Sequence, residues 1–224
     1  MISKIRKTIS YVIPLVVEKR KGEISPKLEV AIENGRYVLN TGHYNYSFGG
    51  LHKIFEKMFN KLDIGKRKLD NVLILGFGTG SVAELLLEKY EKNCKITGVE
   101  RDGVVIELAH QYFNIDRFRD LILLHEDACK FVQSCSESFD MIVIDVFVES
   151  IVPKCFEDEP FFKALNKLIA NNGIVLYNRA FFDQRSRKKT LAVAKKMESI
   201  IGKISVNKIN AYGLKNCVLV CDTK

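Results

Sequence analysis

Three glycines at alternate positions close the run Asn71-Val-Leu-Ile-Leu-Gly-Phe-Gly-Thr-Gly80, and an amphipathic segment follows at once. No other stretch limits the fold as strongly. A short, β-branched apolar run, a turn that needs glycine, and a helical period together read as a buried parallel strand feeding a helix N-terminus. The turn residues Gly76, Phe77, Gly78, Thr79 and Gly80 let backbone approach a ligand closely, with free N–H groups and the helix dipole facing it. Twenty positions after Gly80, the second apolar run Cys94-Lys-Ile-Thr-Gly-Val-Glu100 ends on an acid. A carboxylate there can accept the hydroxyl hydrogens of a ribose. The pair points to a nucleoside cofactor.

From Asn71 onward, apolar runs and helical periods alternate. Strands are expected at 71–76, 94–100, 121–126, 139–145 and 173–177. Helices are expected near 81–91, 103–113, from about Ala128, at 160–170 and at 184–201. A closing antiparallel pair, 204–209 with 217–221, completes seven strands. This is the pattern of an α/β fold with a doubly wound, mostly parallel sheet. The first 49 residues read differently. Asn34-Gly35 between two alternating runs is a hairpin signal, and Ile9–Val17 supplies a further strand, so a small antiparallel β region precedes a domain spanning 50–224. Thr41–Gly50 reads as a Gly- and Tyr-rich loop, either a lid or a linker, before an amphipathic helix over 50–63.

Ligands in such sheets sit beyond the carboxyl ends of the strands, where strand order reverses. The residues there are the glycine turn, Glu100 and Arg101, Asp127 and Ala128, and Asp145, Val146, Phe147 and Glu149. A dinucleotide fingerprint places its third glycine one position later, where Ser81 stands. Four histidines, 43, 52, 110 and 125, share no metal-ligand spacing, and no metal is expected. The six cysteines include no C-x-x-C pair. The simplest reading keeps them reduced in a soluble, cytoplasmic protein. Tyr11–Val17 is too short to span a membrane. The 35 Lys and Arg against 27 Asp and Glu give +8, spread over clusters that include Arg185–Lys189. A nucleic-acid surface is an alternative raised by charge alone.

The G-x-G-x-G turn, with acids ending the second and third strands, resembles the Rossmann-like S-adenosylmethionine-dependent methyltransferases. That resemblance implies that Glu100 holds the ribose hydroxyls, that Asp127 and the Ala128 N–H meet the adenine, and that Arg101 and Val105 flank it. The N-terminal hairpin, the Gly/Tyr-rich loop and the stretch Asp145–Pro153 followed by Phe161-Phe162 look like the spermidine synthase (aminopropyltransferase) branch. By that likeness Asp145 falls at a catalytic aspartate, and Tyr46, Val146, Phe147 and Glu149 at gate or substrate contacts. An ammonium acceptor, with a pKa near ~10, must lose a proton before it attacks.

The chain also departs from that branch. Thr79 stands where spermidine synthases carry an aspartate that pairs with the amine of decarboxylated S-adenosylmethionine. The family's Tyr-His-Glu matches only as Tyr46-Ser47-Phe48, and Val148 replaces a second gate acid. The reading is therefore a transferase using S-adenosylmethionine or its decarboxylated relative, with methyl transfer to a small-molecule acceptor favoured. Aminopropyl transfer to an amine and a non-catalytic or nucleic-acid-associated cofactor module are the alternatives. No membrane partner is expected, and a homodimer is compatible with the reading.

Overall fold

A computed structural model describes residues 2–41, 44–148, 151–211 and 214–223, without the side chains of 44–47 and 214. After a short helix α1 (Lys4–Ile9), strands β1 (Leu15–Arg20), β2 (Leu28–Glu33), β3 (Arg36–Thr41) and β4 (Tyr44–Ser47) form an antiparallel sheet in sequential order. Pro14 explains why the strand expected over Ile9–Val17 starts only at Leu15. Proline donates nothing to a ladder, and the turn that follows α1 takes residues 10–13. Asn34 and Gly35 both hold positive φ, +50° and +79°, the geometry of a two-residue primed turn. The stretch read as a loop over 41–50 contains β4, which pairs with β3.

Helix α2 (Gly50–Lys61) leads into the larger sheet. Its strands are β5 (Asn71–Leu75), β6 (Lys95–Glu100), β7 (Leu121–His125), β8 (Phe139–Ile144), β9 (Ile169–Ala180), β10 (Ile204–Ala211) and β11 (Leu214–Asp222). They lie in the order β10-β11-β9-β8-β5-β6-β7. The first five are parallel, and β11 runs antiparallel between β9 and β10. Strand order reverses at β5, between β6 and β8. The intervening helices are α3 (Ser81–Glu84), α4 (Gly103–Phe113), α5 (Ala128–Ser134), α6 (Glu159–Lys167) and α7 (Gln184–Ile200).

The period of two along β5 divides the core. Val72 and Ile74 pack with α2, α3, α4 and the N-terminal sheet, through Ile54, Phe55, Ala83, Leu108 and Val30. Leu73 and Leu75 face the other way, onto α5, α6 and α7, through Val132, Phe162, Leu165 and Met197. Each such fully buried side chain contributes roughly 1.5–3 kcal/mol. The helices therefore cover both faces, and only the strand ends stay open to ligands. No helix among the described residues is long and apolar enough to cross a membrane.

Candidate active site

At the carboxyl ends of β5, β6 and β8 a cleft is lined by Gly76, Glu100, Arg101, Asp127, Ala128, Asp145, Val146 and Phe147. These positions, far apart in sequence, are brought together because parallel strands all end on one side. The remaining walls are Ile24, Val99, Val148, Pro153, Cys155 and Phe156. With residues 146–148 and 153–156 lying over it, the cleft holds about 70 Å³.

Gly76 is required where β5 ends. Its φ is +81°, and a side chain there would run into the Asp145 carbonyl at well under 3 Å. The glycine thus lets the ends of β5 and β8 touch. Phe77 turns inward, and its ring lies against the Cα of Gly98 in β6, so it packs the core. Val105 is likewise fully buried in the core, and Thr79 is buried within the turn. Gly80, at φ +92°, is the residue from which α3 starts.

Glu100 accepts three backbone N–H groups, from Gly78 at 2.9 Å, Arg101 at 2.8 Å and Asp102 at 3.0 Å. A carboxylate has about four acceptor positions, which leaves one on the oxygen facing Gly78. Burial pushes its pKa up, while the three N–H donors pull it down. Asp127 caps α5, accepting from Cys129 at 2.9 Å and Lys130 at 3.2 Å, and its second oxygen lies 3.3 Å from Arg101. Asp145 extends from β8 and accepts a hydrogen bond from Asn178 Nδ2 on the neighbouring β9, at 2.9 Å. Part of its surface stays open to the cleft, yet the protein packed around it pushes its carboxyl up to about 7. The Asn178 donor opposes that shift, and the Glu100 charge adds to it. A carboxylic acid so held exchanges its proton near neutrality.

The side chain of Tyr46, and Glu149 altogether, lie outside the described residues. The sequence reading missed Asn178 and Ile24. Neither carries a motif, because each reaches the cleft through a long-range contact, Asn178 across 33 residues.

The reading of six free thiols needs correction. Cys129, at the start of α5, and Cys155, in the helical turn Lys154–Glu157, form a disulfide with Cα atoms 6.5 Å apart. They are 26 residues apart, so no local spacing announces the pair. The bond ties the segment over the cleft to the helix that follows Asp127. Titration of thiols in denaturant is expected to find four before reduction and six after. Six before reduction would show that the bond is absent.

The model of the spermine/spermidine synthase domain matches residues 54–221. The chain belongs to that family. It is 26% identical over 133 residues to the probable polyamine aminopropyl transferase of Bifidobacterium longum, covering 59% of this chain and 29% of that protein. The chain spans less than half the length of the curated relatives it matches. A probable spermidine synthase from Corynebacterium glutamicum superposes with a TM-score of 0.73 at 19% identity, over 93% of this chain and 80% of that one. Human methyltransferase-like protein 13, in complex with SAH, does so with 0.61 at 18%, over 78% and 82%. At such identities these superpositions establish the fold.

Proposed function

We propose that this member of the spermine/spermidine synthase family is a transferase that uses S-adenosylmethionine, with methyl transfer as its reaction. The observation that carries the reading is Asp145, held by Asn178 at the switch-point cleft, beside a glycine turn that has Thr79 in place of an acid. A carboxylate in that turn would attract the bare amine of a decarboxylated cofactor and repel an amino-acid carboxylate. Threonine does neither.

The residues fit a nucleoside. Glu100 keeps one acceptor position for a ribose hydroxyl, Gly76 admits close approach, and Val99, Phe147, Pro153 and Phe156 offer apolar walls to a base. The cofactor supplies an activated sulfonium carbon. The protein's task is to align the acceptor with it and take the acceptor's proton, and Asp145 is the group placed to do so. Asp145 would take the proton that the acceptor loses as its new bond to carbon forms, and the matching carbon–sulfur bond would break to leave a neutral thioether.

Family membership favours a second reading, aminopropyl transfer from decarboxylated S-adenosylmethionine to an amine. Thermal unfolding with S-adenosylmethionine, S-adenosylhomocysteine, decarboxylated S-adenosylmethionine and methylthioadenosine separates the two. It should be run with the Cys129–Cys155 bond intact and after reduction. A ligand at ~100 times its dissociation constant adds about 2.7 kcal/mol of stability. S-adenosylmethionine and its homocysteine product are expected to stabilise most. Preference for the decarboxylated cofactor would turn the assignment to aminopropyl transfer, and no effect in either redox state would remove the cofactor.

A further inference from the structure

A second cleft, of about 350 Å³, opens on the other side of the covering segment. It is lined by Ile151 and Val152, by Arg179 and Phe182 after β9, and by Arg185 and Lys189 at the start of α7. We propose that this cleft holds an oxyanion group, a phosphate or a carboxylate, of the acceptor molecule. The proposal rests on the transferase reading and gives its acceptor a charge.

Three observations carry it. The first is the Arg179 guanidinium, which is 3% exposed. One of its Nη groups donates to the Tyr177 hydroxyl at 2.9 Å and the other pairs with Glu157, but its Nε–H has no acceptor. Buried donors are nearly always satisfied, so a donor left over in the wall of a cleft marks a place where an acceptor belongs. The second is the charge around it. Glu157 is shared between Arg179 and Lys189, the latter at 2.9 Å. Asp183, also in the wall, caps the helix by accepting from the Ser186 N–H at 2.6 Å and keeps its charge, so Arg179, Arg185 and Lys189 exceed Glu157 and Asp183 by one positive charge. Arg185 forms no ion pair among the described residues, and no residue of the first turn of α7 is acidic. Arginine and lysine at a helix N-terminus suit an oxyanion and repel a polyamine.

The third is position. Val148 and Ile151 exchange backbone hydrogen bonds, N to O, at 2.8 and 3.0 Å; Val148 lines the first cleft and Ile151 the second. Arg179 follows Asn178, which holds Asp145, and its side chain leaves β9 on the opposite face, beside Tyr177. An acceptor anchored by its oxyanion beside Arg179 and Arg185 would have to cross the end of β9 by Ile151 and Val152 to reach Asp145. Phe182 and Ile151, both more than half exposed, give such a molecule an apolar rim.

Calorimetric titration of the full chain with inorganic phosphate, citrate, spermidine and a ten-nucleotide RNA tests this, with the double variant Arg185→Gln, Lys189→Gln alongside. Both positions lie on the surface of α7, so the variant is expected to fold and to keep its response to S-adenosylmethionine. Phosphate or citrate should bind the parent, and binding should weaken at least tenfold in the variant. The better of the two identifies the oxyanion. Binding of spermidine instead, or anion binding equal in parent and variant, would overturn the proposal. RNA binding without phosphate binding would overturn it too, and would reassign the surface to nucleic acid. Anion binding by a protein that takes no nucleoside cofactor would leave an anion site and overturn its role as an acceptor site. Cofactor binding without anion binding would sink this inference alone.

Discussion

Replacing Asp145 with asparagine is expected to slow transfer by about 10²- to 10⁴-fold, the usual contribution of a positioned general base. Cofactor affinity should change little. The substitution is nearly isosteric, and the carbonyl of the new amide can still accept from Asn178 Nδ2. What is lost is the ability to take a proton. Because burial lifts the Asp145 carboxyl to about 7, kcat/KM of the parent should rise with pH through a single ionisation near that value and then level off. The Asp145→Asn profile should be flat over the same range.

Stability should move the other way. The folded-state pKa lies above the ordinary carboxylate value of 3.8, so between the two the folded protein binds more protons than the unfolded chain. Its stability therefore falls as pH rises across that window. Asparagine does not titrate, so the variant's advantage in melting temperature should grow from pH ~4 to ~7 and then stay constant. A group that lowers stability where it acts is the signature of a site built for chemistry. Unchanged turnover, or a parent whose melting temperature climbs across that window, would remove Asp145 from the mechanism.

What the sequence revealed of this site, and what it hid, follows from the range of the interactions. The glycine turn, the Asn34-Gly35 hairpin and α4 were legible because their determinants are local. For α4, Asp102 caps one end and Asn114, at φ +50°, closes the other. The strand-end acids could be found by counting along alternating elements, because a parallel sheet delivers them to one edge. β9 was read from Gly173 but begins at Ile169. Its start pairs with Phe139 before a register shift, and Asn172-Gly173 reads locally as a turn. The Cys129–Cys155 bond, the Asn178 donor and the unmatched Nε–H of Arg179 were hidden altogether. Each depends on which loop end meets which across the sheet, and no periodicity encodes that.

The long-range contacts of Asp102 belong to this hidden set, and its replacement by alanine is expected to cost about 2–4 kcal/mol and to weaken nucleoside binding. The side chain is 1% exposed. It caps α4 by accepting from Val104 N–H at 3.1 Å. It also gathers the loop after β1, accepting from Glu23 at 3.1 Å, Ile24 at 3.0 Å and Ser25 at 3.4 Å. Gly22 is glycine because any side chain there would strike this carboxylate. Loss of a helix cap costs about 1 kcal/mol, and each buried N–H stripped of its acceptor adds about 1–3 kcal/mol unless water reaches it. The loop can peel away into water, which limits the total. At roughly 2–4 °C per kcal/mol for a chain of this size, the melting temperature should fall by about 5–15 °C.

The functional cost arises because Ile24, held by this carboxylate, is a wall of the cleft where the cofactor is proposed to bind. Asp102→Asn divides the two effects. Its one remaining carbonyl oxygen can keep the α4 cap, while its amide turns donors toward the Ile24 and Ser25 N–H groups. It should therefore release the loop with a smaller loss of stability. Hydrogen exchange at residues 24 and 25 should accelerate in both variants, and exchange at residues 23 and 104, which share the retained oxygen, only in Asp102→Ala. If the loop amides stay protected in both, the N-terminal sheet is held in place by its apolar core and by pairs such as Arg20–Glu107 and Arg36–Glu84, and Asp102 is a helix cap and nothing more.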